Sequence, residues 1–317
     1  MQNILITGGT GLVGKRLTKL LLTEGYAVTI LTRAQPGNAT SDPRIKFALW
    51  NVKNQTIDVA AVQAADFIIH LAGAGVVDKK WTDAYKKEIR DSRTQSSKLL
   101  VDTLSNHSHS VKAIVSSSAI GWYGEDVQAG FAFTETDPAD EGFLGLTCKL
   151  WEESIEPAAA LGIRVCKLRT GIVLSNDGGA LAEFKKPVQL GVAGILGNGK
   201  QVVSWIHIDD LCRMFVYALN QEQLNGSYNA VAPGPVTNKE LTLKLAKLMK
   251  GNFYVALHVP AFVLKMMMGS RSMEVLKSTT VSAGRIRSEG FTFLYPSIDA
   301  ALNELCGKTL PVTNPIS

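Results

Sequence analysis

Thr7-Gly8-Gly9-Thr10-Gly11-Leu12-Val13-Gly14 sets glycines three apart at positions 8, 11 and 14, a spacing suited to holding phosphate. The first glycine permits a tight turn off a strand. The second lets backbone approach a pyrophosphate with no Cβ in between, and the third lets a helix pack closely on a strand. The phosphates would rest on the unbonded N–H groups that open a helix, where the dipole favours negative charge. Such a triplet occurs in many tight turns, so its context decides. Here it follows the apolar run Asn3–Thr7 and opens an amphipathic stretch, Leu12–Thr23, as a dinucleotide pocket requires. Gly8, Thr10, Gly11, Leu12, Val13 and Gly14 are the expected cofactor contacts.

A second apolar run ends in Leu31-Thr32-Arg33, about 20 residues on, where an NAD site offers an acidic side chain to the ribose 2′-hydroxyl. Thr32 and Arg33 stand there instead. A guanidinium suits a 2′-phosphate and can stack on adenine, so NADP(H) is favoured over NAD(H).

The elements that must carry these residues alternate short apolar runs with amphipathic stretches, the signature of a parallel sheet covered by helices. Strands are expected at Asn3–Thr7, Ala27–Thr32, 67–71, 111–116 and 163–168, with helices at Leu12–Thr23, 81–103 and 148–160. The segment 205–210 is expected to open a further helix running to about residue 220. The fold class is therefore α/β, a Rossmann doubly wound parallel sheet with a smaller C-terminal substrate lobe. Residues 1–232 are assigned to the nucleotide-binding domain and 233–317 to the lobe, with 175–204 contributing to the lobe. The groove between them is the expected substrate site.

Composition narrows the function classes. The chain has 317 residues, 46% hydrophobic and 19% charged, with a formal charge of +5 and basic residues scattered among acidic ones. A nucleic-acid binder concentrates its basic residues in a stripe, so none is expected as a partner. Cys148, Cys166, Cys212 and Cys306 lie far apart, which argues against a zinc site or a disulfide framework; no metal is expected. No run reaches the roughly 18 apolar residues of a membrane span. The expected location is the cytoplasm, and the expected partner is a small-molecule substrate.

Read together, several motifs resemble the extended short-chain dehydrogenase/reductase superfamily, in its atypical NAD-dependent epimerase/dehydratase branch with a DUF1731-type C-terminal segment. They are the glycine motif, Leu71-Ala72-Gly73-Ala74-Gly75, Lys80-Trp81-Thr82, Arg90-Asp91-Ser92-Arg93 and Ser116-Ser117-Ser118-Ala119-Ile120-Gly121-Trp122-Tyr123-Gly124. Lys149-x-Trp151-Glu152, Trp205-Ile206-His207-x-x-Asp210, Val259-Pro260 and Glu289-Gly290-Phe291-x-Phe293 complete the set. The resemblance implies that Leu71, Ala72 and Gly73 line the cofactor. It also implies a serine that holds a substrate oxygen, Ser118 by position, with Ser117 as an alternative. Dimers are common in the superfamily, so a homodimer is one expected state, although no apolar stripe demands it.

Active members carry Y-x-x-x-K, in which the lysine lowers the tyrosine pKa and holds the nicotinamide ribose. The matching segment here is Gly145-Leu146-Thr147-Cys148-Lys149, which puts Lys149 in place and a glycine at the tyrosine position. Three readings follow. Tyr123 substitutes as proton donor; or Thr147, Cys148 or His207 contributes; or no redox chemistry remains and the fold senses the nucleotide. Other constellations have plainer expectations. Asp209-Asp210 caps a helix, Arg169 contacts substrate or forms a structural ion pair, and Met266–Met268 pack in the core by default or form the Met-rich wall of an adaptable binding surface. Lys79, Lys80, Lys86, Lys87, Arg90 and Arg93 form a solvated face, unless Arg90 or Arg93 turns inward toward an anionic or carbonyl-bearing substrate.

Overall fold

Strands buried on both faces should read as unbroken apolar runs, and Ile4, Leu5 and Ile6 do so. Ile4 and Ile6 enter one core with Leu17 and Leu21, while Leu5 enters the opposite core with Leu100 and Val62. The computed structural model describes residues 1–34, 42–128 and 130–307.

Its strands are β1 Asn3–Thr7, β2 Ala27–Thr32, β3 Ile45–Asn51, β4 Thr56–Ile57, β5 Phe67–His70, β6 Ala113–Ala119, β7 Arg164–Thr170, β8 Ile172–Ser175 and β9 Gly178–Gly179. They continue with β10 Val192–Leu196, β11 Val202–Val203, β12 Trp205–His207, β13 Gly226–Ala230, β14 Val236–Thr237 and β15 Val255–Val259. The helices are α1 Leu12–Thr23, α2 Val59–Gln63, α3 Asp83–Asn106, α4 Phe143–Ile155, α5 Ala180–Gln189 and α6 Ile208–Asn220. Beyond them lie α7 Asn238–Lys250, α8 Ala261–Met268, α9 Ser272–Leu276, α10 Gly284–Ser288 and α11 Ile298–Leu305.

Eight strands form one sheet in the order β13-β7-β6-β5-β1-β2-β3-β4, parallel throughout except for β4 against β3. This is a Rossmann sheet. The chain reverses direction across the sheet between β1 and β5, and such a switch point opens a crevice at the carboxyl ends of the strands. A third core gathers Leu181, Ala193, Leu241, Leu245 and Leu302, so α5 and β10 pack with α7 and α11. The lobe does not own everything after residue 232, however. Val281, Ile286, Phe291 and Phe293 pack into the core of the sheet domain, and residues 308–317 lie outside the described set.

Three sequence expectations shift. The fourth helix begins at Phe143, five residues before the expected start, because Gly142 and Gly145 are packing glycines rather than helix breakers. Trp205–His207 is a strand, with His207 capping α6 by accepting the Asp209 N–H at 3.1 Å. Phe262 and Met266 are 68% and 74% exposed on α8, while only Leu264 between them is buried, so the expected core packing does not hold. Among the described residues no helix is long and apolar enough to cross a membrane.

The switch point is held by buried polar groups. Thr7 Oγ1 at the end of β1 accepts the N–H groups of Leu71 and Ala72, both at 3.1 Å, and lies 2.7 Å from His70 Nδ1. With the hydroxyl donating to Nδ1, the other ring nitrogen donates to Ser97 Oγ at 3.1 Å, and Ser97 donates to the Arg93 carbonyl. Burial pushes the His70 pKa down to about 3, so the folded ring is neutral. Below its ordinary value of about 6.5 the unfolded chain takes up a proton that the folded chain refuses until pH is near 3. Stability should therefore fall with decreasing pH across that window, by up to about 1.4 kcal/mol per unit from this residue. Urea denaturation at pH 7 and pH 5 checks this: replacing His70→Asn should flatten the difference, and an unchanged slope would assign it elsewhere.

Candidate active site

The glycine loop takes its shape from atoms that leave no room for side chains. Gly8 has φ +71°, and a Cβ there would stand 2.9 Å from the Leu71 carbonyl carbon. A Cβ on Gly14 would stand 2.5 Å from both the Gly8 oxygen and Gly9 Cα. Gly11 occupies the N-cap of α1, where no side chain caps the helix. The opening N–H groups of α1 thus face a cradle built from backbone, the arrangement a diphosphate needs. Thr10 and Gly11 are exposed at its rim, and Leu12 and Val13 anchor α1 on the sheet core. Arg33 is exposed at the end of β2. These residues fit the adenosine diphosphate portion of a pyridine dinucleotide.

The loop after β5 forms the other wall. Gly73 faces Arg93 of α3, since a Cβ at 73 would meet the guanidinium carbon at 3.0 Å. Arg93 donates from Nη1 to the carbonyls of Ala74 and Ile89, and Ser92 Oγ accepts the Ala74 N–H at 2.9 Å. Trp81 and Tyr85 donate to the Val76 and Gly75 carbonyls. Ser92 and Arg93 of this motif therefore brace the loop, while Arg90 pairs with Asp91. Lys79, Lys80, Lys87 and Arg90 stay exposed, and Arg93 alone of the basic residues weighed here turns inward to the cavity described next.

Where the sheet meets the lobe, a cavity of about 350 Å³ opens beside the ends of β6 and β7. Ile89 and Arg93 of α3 line it, as do Leu144, Thr147, Cys148 and Trp151 of α4 and Phe184, Val203 and Val275 of the lobe. Positions 144, 147, 148 and 151 share one helical face. Lys149 lies about 100° further round. Its side chain is 52% exposed and its nearest ionic partner is Glu153, with Nζ 3.9 Å from the carboxylate. Lys149 is thus off the cavity face, a correction to the expected ribose-holding role. The positions four apart that do face the cavity are Leu144 and Cys148. Gly145 is not a vacated tyrosine site, because a Cβ there would lie 2.1 Å from the Asp140 oxygen.

Ser118 and Tyr123 are also diverted. Ser118, Arg169 and Asn229 are register partners across β6, β7 and β13, so their side chains line up on one face. Arg169 makes a buried two-pronged pair with Glu152 of α4, Nε to Oε1 at 2.8 Å and Nη2 to Oε2 at 3.0 Å. Ser118 Oγ donates to Glu152 at 2.7 Å, and Ser227 donates to the other carboxylate oxygen at 2.8 Å. The Tyr123 hydroxyl accepts from Arg169 at 3.0 Å and donates to Asn229 at 2.6 Å. Trp122 lies 3.6 Å from the guanidinium carbon, ring face on. Ser118 is 2% exposed and Tyr123 4%. Burial pushes the phenol up to about 12, despite the Arg169 charge that lowers it. Both hydroxyls are spent in this network, away from the cavity. Ser117, on the opposite face of β6, is part-buried.

The remaining candidates resolve as follows. Burial pushes the Cys148 thiol up to about 12, so it stays protonated on the cavity wall. Thr147 Oγ1 donates to the Phe143 carbonyl. His207 pairs with Glu304 at 2.9 Å and stacks on Tyr295, a structural post. Asp210 accepts the N–H groups of Leu294 and Tyr295, and Asp209 binds Arg16. His207, Asp209 and Glu304 bring ligand atoms within 4.8 Å of one another, but the carboxylate of Asp209 is already paired with a guanidinium. Sequence reasoning missed Glu152 as the hub and Thr7 with His70 as the clamp. The polar pair Thr7 and His70 at adjoining strand ends was the available signal.

The sequence model of the NAD dependent epimerase/dehydratase family matches residues 4–231, and a domain of unknown function, DUF1731, matches residues 259–305. An epimerase family protein of Staphylococcus saprophyticus is 34% identical over 306 residues, 96% of this chain and 99% of the relative. Among solved structures, the human epimerase family protein SDR39U1 (isoform 2) with NADPH superposes with TM-score 0.84 at 26% identity, covering 97% of this chain and 100% of that one. A nucleoside-diphosphate sugar epimerase from Corynebacterium glutamicum gives TM-score 0.77 at 31% identity, covering 98% of this chain and 59% of that one.

Replacing Arg169→Met strands a buried carboxylate and should cost about 3–5 kcal/mol in urea denaturation. Lys149→Ala should change stability by less than about 0.5 kcal/mol. Equal effects of the two changes would contradict this placement.

Proposed function

Because the chain belongs to the NAD dependent epimerase/dehydratase family, we propose that it binds NADP(H) and acts as an oxidoreductase on a small substrate held in the cavity at the sheet–lobe boundary. The observation that carries this reading is the backbone cradle at Gly8, Gly11 and Gly14, opening α1 at the switch point. Arg33, at the end of β2, is the residue offered to a 2′-phosphate, which supports NADP(H) over NAD(H). The human relative solved with NADPH supports the same choice.

When bound, the nicotinamide supplies or accepts a hydride. The chain's contribution is positional and electrostatic. Leu71–Gly73 wall the cofactor, braced by Ser92 and Arg93. Arg93 sets a positive charge at the cavity, and Ser117, unlike Ser118, lies outside the Glu152 network. Glu152, Ser118, Arg169 and Tyr123 fix the ends of β6 and β7 rigidly and act as positioning residues.

A second reading rests on one observation: the cavity face of α4 carries Leu144 and Cys148, a hydrocarbon and a protonated thiol, where active relatives are expected to carry tyrosine and lysine. In that reading the same fold binds the nucleotide without turnover. Stoichiometric oxidation of NADPH by any metabolite fraction would exclude it.

Calorimetry with NADPH and NADH tests the cofactor reading. Gly11 has ordinary backbone angles and a Cβ there would meet only the Gly8 oxygen at 3.3 Å, so Gly11→Ala should fold. Its methyl group enters the phosphate path and should weaken NADPH binding about tenfold. Arg33→Ala should narrow the preference for NADPH over NADH. If neither dinucleotide binds at millimolar concentration, the reading fails.

A further inference from the structure

We propose that the cavity takes an uncharged, mainly apolar carbonyl compound, whose oxygen is held between the Arg93 guanidinium and the Trp151 indole N–H. This rests on the oxidoreductase reading above and names its substrate class.

Trp151 is 5% exposed, lines the cavity, and its indole N–H has no hydrogen-bond partner. A buried donor left unpaired is costly, and few are tolerated in a folded chain without a reason. Arg93 lies over the Trp151 ring at 4.9 Å and spends Nη1 on two backbone carbonyls, whereas a guanidinium carries five N–H donors. The two side chains come from helices that pack against each other, α3 and α4. Together they offer donors with one positive charge, the combination that stabilises an oxygen gaining electrons.

The rest of the lining argues against a nucleoside diphosphate. Leu144, Ile89, Phe184, Val203 and Val275 make the wall apolar. The other cations at the cavity are engaged: Lys277 pairs with Glu274, and Arg271 donates to the carbonyls of Val77 and Met268. A neighbouring pocket that shares Trp81 and Leu144 with the cavity is lined by Glu125 and Asp140 as well as Lys86. Two phosphates would find Lys277 and Arg271 already engaged and a wall that is mainly hydrocarbon. An apolar ketone or aldehyde meets walls that match it.

In the reductive direction the carbonyl carbon accepts a hydride, and the C=O π pair moves onto the oxygen between Arg93 and Trp151. That oxygen then takes a proton from water, giving an alcohol. The reductant is NADPH, which becomes NADP⁺. No phenol is required, which accommodates Leu144 on the wall.

The test is calorimetry on the full chain saturated with NADP⁺, titrated with 1-phenyl-1,2-propanedione, UDP-glucose or benzoate. The dione should bind most tightly. Arg93→Met and Trp151→Phe should each weaken it about tenfold, with Trp151→Phe leaving NADP⁺ affinity within about twofold. Trp151→Phe keeps an aromatic ring on the wall, so it isolates the N–H; Arg93→Lys, which keeps the charge, should retain more affinity than Arg93→Met. Tighter binding of UDP-glucose or benzoate, no dione binding, or dione binding indifferent to both substitutions would overturn the proposal. Dione binding with this variant dependence in a chain that ignores NADP⁺ would support the carbonyl site and overturn the cofactor reading.

Discussion

The carboxyl ends of β1 and β5 must approach closely and then part, and the rest of the architecture depends on that crossing. Residue 8 passes within contact distance of the Leu71 carbonyl in a left-handed turn that only glycine makes without strain. Thr7 then gathers the Leu71 and Ala72 N–H groups onto one hydroxyl and donates its own O–H in a hydrogen bond to a neutral His70. The polar groups at the end of two buried strands are satisfied within the protein. What is left unsatisfied is the start of α1, and that is where an anion belongs.

A second constraint acts across the sheet from the first. Arg169 and Glu152 are both buried, and removing either would leave the other an uncompensated buried charge. Their pair draws in Ser118, Ser227 and Asn229, placed by strand register, and Tyr123, placed by the turn that follows β6. Side chains that look reactive in a linear sequence are thereby consumed in holding β6, β7, β13 and α4 together. The groups that face the cavity instead lie outside that network, on α3 and on one face of α4.

That face explains the departure from the family's tyrosine and lysine. Asp140 lies so close to α4 that residue 145 has no space for a side chain, which fixes how the helix sits. With the helix so placed, Leu144, Cys148 and Trp151 reach the cavity, and Lys149 reaches water. An apolar wall with few donors follows from helix rotation rather than from any single missing residue.

Much of the fold was legible in the chain itself. The runs Asn3–Thr7, Leu12–Thr23 and Ala27–Thr32 match β1, α1 and β2 residue for residue, because period and glycine punctuation are local properties. The glycine cradle was legible for the same reason: its shape depends on eight consecutive residues. The roles of Ser118, Tyr123 and Lys149 were not. A strand side chain's face depends on its partners' register, and a helical residue's face depends on where the helix starts and how it is rolled on the sheet. Glu152 lies 17 residues from Arg169 and 75 from Ser227, yet one carboxylate binds both. Local pattern thus determined five of the sheet's eight strands, the first helix and the phosphate loop; tertiary packing brought in β3, β4 and β13 and decided which polar groups are spent on structure and which face the cavity.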